Sequence, residues 1–327
     1  SPLPEAPVGR WRLSEREARF NSYGEAYRKR CLAFLFANES NEKDMLRIAI
    51  QAKGRLNEES IGLLAEAGVS IEDSKRKLLA RSDGFPLEVL YLRDDDIPQA
   101  VSMGVADLGV VGLNEVEEKG FDVEIVHRLG FGKCRLSLAV PKTEPYEGLS
   151  YFEGKRVATS YPVILSRFFR EKGIAAEIHE IAGSVEIAPS VGMADAIFDI
   201  VSSGGTLVTN GLKEVEQVLF SEAVLIGGRA LSDDKRQILS QLLFRIEAVE
   251  RSRGLKYVLM NLPHAKIPEA VRILPGMKSP TILPLAQEGW SSMHVVINER
   301  ELWSKIEQLK AIGAEDILVL SLEKMIR

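Results

Sequence analysis

The sequence has few of the residues that build disulfide frameworks and metal centres. Of its 327 residues only two are cysteine, Cys31 and Cys134, and only four are histidine. Two cysteines are too few for a disulfide framework or a cysteine-based zinc site. The histidines are scattered without metal-ligand spacing, so we assign none of them a catalytic role. We interpret Cys134 as a small core residue, because a thiol is nucleophilic only where its pKa is lowered.

An excess of positive charge and long apolar runs are lacking as well. The net charge is −5, which argues against general nucleic-acid binding. No apolar run approaches the roughly 20 residues that cross a bilayer, so we expect no membrane association and a cytoplasmic location. What is present, a hydrophobic fraction of 45%, is typical of a globular protein, and the length predicts two or three domains.

Residues 1–44 do not share the pattern of the rest of the chain. They combine Trp11 and scattered charges with one short apolar patch, residues 32–37. The segment is too rich in acids for a transit peptide. We interpret it as an N-terminal extension, non-native or flexible, with Met45 as the natural start. The alternative is a genuine arm of the protein.

From Met45 onward, short apolar strands alternate with helical stretches, which predicts α/β lobes with helices on the faces of a sheet. We expect a first lobe over residues 45–140 and a second over 141–221. After a long helix that looks like a connector, residues 255–327 follow the order β-α-β-β-α-β of a ferredoxin-like module. Within the first lobe, Asn57 is predicted to cap a helix.

A tight loop follows a predicted buried strand in the second lobe. The loop consists of Ser202, Ser203, Gly204, Gly205 and Thr206. Adjacent glycines let the backbone approach an anion closely, and successive amides with three hydroxyls suit a phosphate monoester. Asp199, just before the loop, could bind ribose hydroxyls or Mg²⁺. The alternative is an ordinary strand–turn–helix connection.

Charged residues follow two predicted strands of the first lobe. Lys53 and Arg55 suit a diphosphate or triphosphate, although solvated surface charge is the alternative. Arg93 precedes three acids, residues 94–96, which could hold Mg²⁺ or cap a helix. Asp107 begins a buried strand and therefore needs a partner. Tyr161 ends a strand, where its ring could stack on a purine or pack in the core.

The run from Glu186 to Leu207 resembles, position by position, the signature of the ATP phosphoribosyltransferase family, the first enzyme of histidine biosynthesis. The resemblance extends from about Met45 to Arg327 and matches the long form of the family, which has a C-terminal regulatory domain. It implies two lobes of the periplasmic-binding-protein type that form a catalytic cleft. The first lobe would be completed by residues from about 222–250, after the second lobe.

The resemblance implies transfer of a 5-phosphoribosyl group from phosphoribosyl pyrophosphate to N1 of ATP, with Mg²⁺ as cofactor. It implies that Asp199 and Arg55 are catalytic and that Asp107 and Asp199 contact the metal. The implied phosphoribosyl pyrophosphate site comprises Glu186, Asp199, Ser202, Ser203, Gly204, Gly205 and Thr206. The implied ATP site comprises Lys53, Arg55, Arg93, Asp94 and Tyr161.

The C-terminal module is expected to be regulatory. The turn that contains Ser279 and Thr281 offers two hydroxyls and backbone groups suited to the charged ends of an amino acid. The resemblance implies that histidine binds there as an allosteric inhibitor and that the chain is a homo-oligomer, a hexamer in equilibrium with a dimer. The alternatives are a two-lobed binding protein without catalysis and a catalytic subunit that depends on a separate regulatory partner.

Overall fold

The computed structural model describes residues 45–72 and 78–326, which form three sheets with flanking helices. The predicted N-terminal extension over residues 1–44 lies outside the described residues. In chain order the strands are β1 (Leu46–Gln51), β2 (Ser70–Ile71), β3 (Leu79–Asp83), β4 (Leu87–Leu92), β5 (Leu108–Gly112), β6 (Glu124–Arg128), β7 (Cys134–Pro141), β8 (Arg156–Thr159), β9 (Glu177–Glu180), β10 (Ala196–Val201), β11 (Leu212–Ser221), β12 (Ala223–Gly227), β13 (Leu255–Pro263), β14 (Thr281–Pro284), β15 (Trp290–Asn298) and β16 (Glu315–Ser321). The helices are α1 (Arg55–Glu66), α2 (Ile97–Ser102), α3 (Leu113–Lys119), α4 (Pro162–Lys172), α5 (Gly205–Thr209), α6 (Asp233–Ser252), α7 (Ile267–Ile273) and α8 (Glu299–Ala311).

The first lobe is built on a sheet with the strand order β2-β3-β4-β1-β5-β12-β6. Leu63 of α1 and Ile246 of α6 belong to the core on one face, and Ile97 of α2 belongs to the core on the other. Gly109 in β5 permits the close approach of α2, because a β-carbon there would lie 2.5 Å from Ile97 Cγ2. α1 begins one turn earlier than the predicted cap: Asn57 lies inside it, and its Nδ2 donates to the Gln51 carbonyl at 2.7 Å.

The second lobe has a five-stranded sheet with the order β11-β7-β10-β8-β9, in which β10, β8 and β9 are parallel. Its main core contains Phe152, Phe169 of α4 and Phe198 of β10, all buried. The chain enters this lobe from β6 into β7 and returns from β11 into β12, which lies in the first sheet. Two connecting segments therefore join the lobes.

The third unit has the sheet order β14-β15-β13-β16, with a core that includes Met260, Met293 and Leu309. Its element order, β13-α7-β14-β15-α8-β16, confirms the ferredoxin-like prediction. The predicted fold class, two α/β lobes followed by this module, is also confirmed. Among the described residues, no helix has the length and apolar character that crossing a membrane requires.

Candidate active site

The carboxyl ends of three parallel strands meet at one edge of the first sheet. β1 lies between β4 and β5, and Gln51, which ends β1, is paired with Leu92, which ends β4. The Ala52 amide extends this pairing with a hydrogen bond of 2.7 Å to the Leu92 carbonyl. The loops that follow β1 and β4 are therefore held side by side, at the kind of edge where open α/β sheets bind ligands.

Two cations are exposed in the loop between β1 and α1. Lys53 is exposed, and the Arg55 side chain is 77% accessible while its Nε donates to Glu59 at 2.8 Å. Gly54, between them, has φ 98° and ψ −177°, a conformation that is essentially restricted to glycine. Gly54 therefore fixes the turn that presents both cations. Because an exposed ion pair contributes little free energy, Arg55 can leave Glu59 for an anionic ligand.

The loop after β4 adds a third cation and a group of carboxylates. Arg93 is 74% exposed, and its Nε lies 3.4 Å from Asp95 Oδ1. Asp94–Asp96 form a short 3₁₀ turn that leads into α2. The adjoining loops thus combine cations suited to phosphate oxygens with carboxylates that can bind a cation or hydroxyl groups.

In the second lobe, the loop after β10 leads directly into α5, which begins at Gly205. Gly204 has φ +80°, in the left-handed region that a residue with a β-carbon rarely adopts. The side chains of Ser202, Ser203 and Thr206 are exposed, and none of their hydroxyls hydrogen-bonds to another described residue. The loop therefore offers three hydroxyls and the first amides of a helix, an arrangement that suits a phosphate monoester.

Two carboxylates near this loop lie within electrostatic range of each other. Burial raises the pKa of the Asp199 carboxyl in β10, and the negative charge of Glu186 raises it further. Within residues 45–72 and 78–326, neither carboxylate forms an ion pair with a cation. A carboxylate pair of this kind favours binding of a divalent cation or of sugar hydroxyls.

A buried polar network joins the first two lobes. Asn114, in α3 of the first lobe, donates from Nδ2 to Glu115 Oε1 at 3.1 Å and to the Tyr161 hydroxyl of the second lobe at 3.2 Å. The Ser221 hydroxyl, at the end of β11, donates to Asn114 Oδ1 at 2.7 Å. The network thus connects both lobes with one of the two segments that cross between them.

Acidic residues of both lobes act on ionisable groups at the contact between the lobes. Burial raises the pKa of Glu115, and the charge of Asp94 raises it further. Burial also raises the pKa of the Tyr161 hydroxyl, and the negative charges of Glu115, Asp199 and Asp94 raise it further. The Tyr161 hydroxyl therefore lies within electrostatic range of acidic residues from both lobes.

Sequence comparison connects this two-lobed arrangement to an enzyme family. The ATP phosphoribosyltransferase of Bacteroides thetaiotaomicron is 61% identical over 282 residues, which are 86% of this chain and the whole of that protein. The family model described as ATP phosphoribosyltransferase matches residues 93–248.

The chain belongs to the ATP phosphoribosyltransferase family.

Other relatives agree with this assignment. The ATP phosphoribosyltransferase of Cytophaga hutchinsonii is 51% identical over 86% of this chain and 99% of its own length. A solved structure, the ATP phosphoribosyl transferase (HisG:HisZ) complex from Thermotoga maritima, has a TM-score of 0.55 and 29% identity. It covers 62% of this chain and 96% of that one.

Membership of the ATP phosphoribosyltransferase family defines the reaction. The enzyme transfers the 5-phosphoribosyl group of phosphoribosyl pyrophosphate to N1 of ATP and releases pyrophosphate, in the first step of histidine biosynthesis. This decides against a binding protein without catalysis. A second family model, described as the C-terminal domain, matches residues 252–324, so the chain is the long form rather than a catalytic subunit that needs a separate regulatory partner.

The predicted stacking of Tyr161 on adenine does not fit the structure of this ATP phosphoribosyltransferase. Tyr161 is only 8% exposed, and its ring packs in the core of the second lobe with Leu165 and Phe198. Its hydroxyl is held by Asn114. A ring enclosed in this way has no open face for a purine, so Tyr161 belongs to the contact between the lobes.

The predicted metal contact at Asp107 does not fit either. Asp107 precedes β5 and so lies at the amino end of that strand, opposite the edge that carries the cationic loops. Lys235 of α6 binds both of its carboxylate oxygens, at 2.9 and 2.7 Å, and the Arg47 amide donates to Oδ2 at 2.8 Å. Asp107 is therefore an ion-paired group that joins α6 to the first sheet. The described residues contain no cluster of three or more histidine, cysteine or carboxylate side chains suited to a metal.

The sequence interpretation missed three polar residues of α3 that contact the second lobe. They are Asn114, Glu115 and Glu118. A local signal existed: they lie two to six residues after Gly112, which ends β5, and the carboxyl ends of strands are where open sheets bind ligands.

Ser279 and Thr281, the predicted effector residues, lie in the third unit. Thr281 begins β14 and is exposed, while the exposed Ser279 hydroxyl donates to the Pro280 carbonyl at 3.3 Å. Gly276 has φ +66°, and a β-carbon there would lie 2.8 Å from Val295 Cγ2, so only glycine lets the turn pack on β15. The turn is thus fixed at one end and presents hydroxyls to solvent.

Proposed function

We propose that this reaction occurs in the cleft between the first two sheets, with phosphoribosyl pyrophosphate on the second lobe and ATP on the first. The observation that supports this is the hydrogen bond from Asn114 Nδ2 to the Tyr161 hydroxyl. Asn114 follows β5, which is parallel to β1, and Tyr161 follows β8, which is parallel to β10, so the bond joins the carboxyl edges of the two sheets. Adenine N1 would attack the anomeric carbon as pyrophosphate leaves, through an oxocarbenium-like transition state. Such a reaction needs positioning and charge stabilisation rather than a covalent nucleophile.

Phosphoribosyl pyrophosphate would bind with its 5-phosphate in the loop after β10. The free hydroxyls of Ser202, Ser203 and Thr206 and the left-handed Gly204 support this assignment. Gly205, the first residue of α5, would contribute its amide. Asp199 and Glu186 would then accept hydrogen bonds from the ribose hydroxyls, which also compensates for their mutual repulsion.

ATP would bind with its phosphates near Lys53, Arg55 and Arg93. All three cations are exposed at the carboxyl edge of the first sheet, and the guanidinium of Arg55 can grip two oxygens at once. Arg55 would also stabilise the leaving pyrophosphate. Asp94, beside Arg93, would accept hydrogen bonds from ATP.

Mg²⁺ fits the carboxylates of this cleft. Two neighbouring carboxylates, Asp199 and Glu186, have no cationic partner among the described residues, and Mg²⁺ characteristically binds to one or two carboxylates together with substrate phosphates. We infer that Asp199 contacts the metal and that the substrate supplies most of its remaining ligands. When bound, the metal neutralises charge on the departing pyrophosphate.

Regulation would reside in the third unit. We infer that histidine binds near Ser279 and Thr281 and inhibits at a distance, in a homo-oligomer that exchanges between hexamer and dimer. The exposed, anchored turn of this unit supports the site. Because a ligand shifts only states that it binds differently, inhibition requires two arrangements of unequal activity. We propose lobe boundaries at residues 45–140 with 222–250, at 141–221 and at 255–327, and a cytoplasmic location.

A product assay tests the proposed site. Purified protein is mixed with ATP, phosphoribosyl pyrophosphate and Mg²⁺, and product is followed by its ultraviolet absorbance. We expect turnover that requires all three components and that falls when Arg55→Ala is introduced. Glu72→Ala, an exposed change remote from the loops after β1 and β4, serves as the control. Full activity of Arg55→Ala would contradict the assignment of the cationic loop.

A further inference from the structure

Arg135, which has no role in the proposed substrate sites, forms hydrogen bonds that connect two strands of the second lobe with the loop after β10. It lies in β7, where it is paired with Val201. Val201 is the last residue before residues 202–206, the loop after β10, which we call the phosphate loop. Its guanidinium forms two parallel hydrogen bonds with Glu214 of β11, from Nε to Oε1 and from Nη2 to Oε2, each 2.5 Å long. Bidentate geometry of this kind fixes the plane of the guanidinium.

The remaining nitrogen of Arg135 reaches the phosphate loop. Nη1 donates to the carbonyl oxygen of Ser202 at 3.3 Å, and Ser202 is the first residue of the loop. In a trans peptide the carbonyl and the following N–H point in opposite directions. Fixing the Ser202 carbonyl toward Arg135 therefore fixes the Ser203 amide toward the opposite side of the same peptide plane.

Glu214 has a further hydrogen-bond partner, so its ion pair with Arg135 is part of a larger network of fixed side chains. The Ser137 hydroxyl donates to Glu214 Oε1 at 2.7 Å. The hydrogen bonds from Arg135 lower the pKa of the Glu214 carboxyl, which keeps it ionised at neutral pH. Ser137 is paired in β7 with Asp199 of β10, so the same network lies beside the other residue proposed to bind phosphoribosyl pyrophosphate.

We propose that Arg135 is a positioning residue for phosphoribosyl pyrophosphate: it orients the backbone of the phosphate loop through Ser202. The inference rests on the proposed function of that loop. Arg135 acts through geometry rather than through charge, because the ionised Glu214 offsets its charge at contact distance. A loop whose first peptide is free to rotate would lose alignment of its amides with the phosphate, and misplacement by about 1 Å can cost about 100-fold.

The chain offers a matched control in Arg156. Its guanidinium also grips a carboxylate, with 3.2 and 2.9 Å bonds to Asp195, and also donates to a backbone carbonyl, that of Gly192, at 3.1 Å. Arg156 begins β8 at the amino end of that strand, away from the loop after β10. Substitutions of Arg135 and Arg156 therefore remove similar interactions from the second lobe. Only the substitution of Arg135 affects the edge of the sheet that carries the loop after β10.

The test measures KM for each substrate and kcat in Arg135→Lys, Glu214→Gln and Arg156→Lys. We expect Arg135→Lys to raise the KM for phosphoribosyl pyrophosphate roughly 10- to 100-fold with the KM for ATP unchanged, and Arg156→Lys to change neither. Lysine keeps the charge but lacks the planar guanidinium, which binds both oxygens of Glu214 and directs a third nitrogen to Ser202. An unchanged KM for phosphoribosyl pyrophosphate in Arg135→Lys would overturn the proposal.

Glu214→Gln separates positioning from charge. It leaves the positive charge of Arg135 without an offset but removes one of the paired hydrogen bonds. Positioning predicts weaker binding of phosphoribosyl pyrophosphate, by about tenfold, whereas a role through charge predicts tighter binding and would overturn the proposal. Thr206→Ala is measured in parallel. If Thr206→Ala weakens binding of phosphoribosyl pyrophosphate while the Arg135 and Glu214 variants do not, only the positioning role of Arg135 is wrong. If Thr206→Ala also has no effect, the assignment of the loop to phosphate binding is wrong.

Discussion

The backbone amide of Val163 donates a 2.9 Å hydrogen bond to Glu118 Oε1, across the boundary between the two lobes. The neighbouring amide of Ile164 donates to Oε2 of the same carboxylate at 2.9 Å. Glu118 lies in α3 of the first lobe and is 8% exposed, so it caps the first turn of α4 in the second lobe with both oxygens. A negative charge is favourable at this end of a helix.

Glu118→Ala should destabilise the protein and loosen the contact between the lobes. The change leaves two amides of α4 without their acceptor, and loss of a capping group costs about 1–2 kcal/mol. Urea unfolding measures the free energy. Glu117→Ala, which removes only the half-exposed pair with Arg167, should cost under about 1 kcal/mol. Equal losses in both variants would contradict the capping role of Glu118.

Thr206→Ala should weaken phosphoribosyl pyrophosphate binding much more than ATP binding. The change removes an exposed hydroxyl that is free to bind the phosphate, and a lost hydrogen bond to a charged group costs about 1.5–3 kcal/mol, or roughly 10- to 100-fold in affinity. Gly204→Val should do the same by straining a left-handed backbone. Titration calorimetry checks both. Thr209→Ala, at the far end of α5, where the hydroxyl donates to the Gly205 carbonyl, is the control and should bind normally.

Asp199→Asn should reduce turnover sharply while the protein stays folded. The substitution keeps the shape of a half-buried side chain but removes the charge proposed to engage Mg²⁺ and ribose. Activity is measured across a Mg²⁺ titration. Asp107→Asn, which weakens the ion pair with Lys235, is expected to lower stability without altering the Mg²⁺ dependence. Full activity of Asp199→Asn at every Mg²⁺ concentration would reduce Asp199 to a structural role.

The contribution of Glu115 to the free energy of unfolding should decrease as the pH rises. Burial, then the charge of Asp94, raises its pKa above that of the unfolded chain. Such a carboxyl stabilises the fold fully below its unfolded pKa, about 4.3, and loses this contribution as the pH rises through the folded value. Glu115→Gln stays neutral, so as the pH rises above the unfolded pKa its unfolding free energy should gain on that of the parent protein. The exposed control Glu124→Gln should show no such trend. A difference independent of pH in both variants would contradict the prediction.

Histidine at millimolar concentration should inhibit the full chain without competing with ATP. Thr281→Ala should blunt this response, because it removes an exposed hydroxyl from the anchored turn before β14. Ser304→Ala, whose hydroxyl donates to the Glu301 carbonyl on α8, is a control in the same unit. Truncation before Leu255 should abolish the response. A truncated protein that is as sensitive to histidine as the whole chain would place the effector site elsewhere.

The sequence predicted the elements of the fold and the loops of the cleft because both depend on local patterns. Short apolar runs between turn residues indicated the strands, and glycines with hydroxyls marked the loop around Gly204. The positions of Lys53 and Arg93 at one edge follow from the parallel pairing of β1 and β4, which the strand–helix alternation implies.

Partners that are distant in sequence could not be predicted in this way. The hydroxyl of Tyr161 meets Asn114, 47 residues earlier, and Asp107 meets Lys235, 128 residues later. No local pattern distinguishes a tyrosine that closes a contact between lobes from one that stacks on a ligand. For the same reason the bidentate pair of Arg135 with Glu214 is visible only in the folded chain.

The position of β12 has a consequence for how the chain folds during synthesis. β12 lies between β5 and β6, and within the described residues β6 pairs with no other strand. The ribosome makes β12 only after the entire second lobe, so until then β6 has no partner and the first sheet is incomplete. The second lobe, whose five strands are contiguous in the chain, can close first. We therefore expect the two lobes to complete folding in the reverse of their order from the amino terminus.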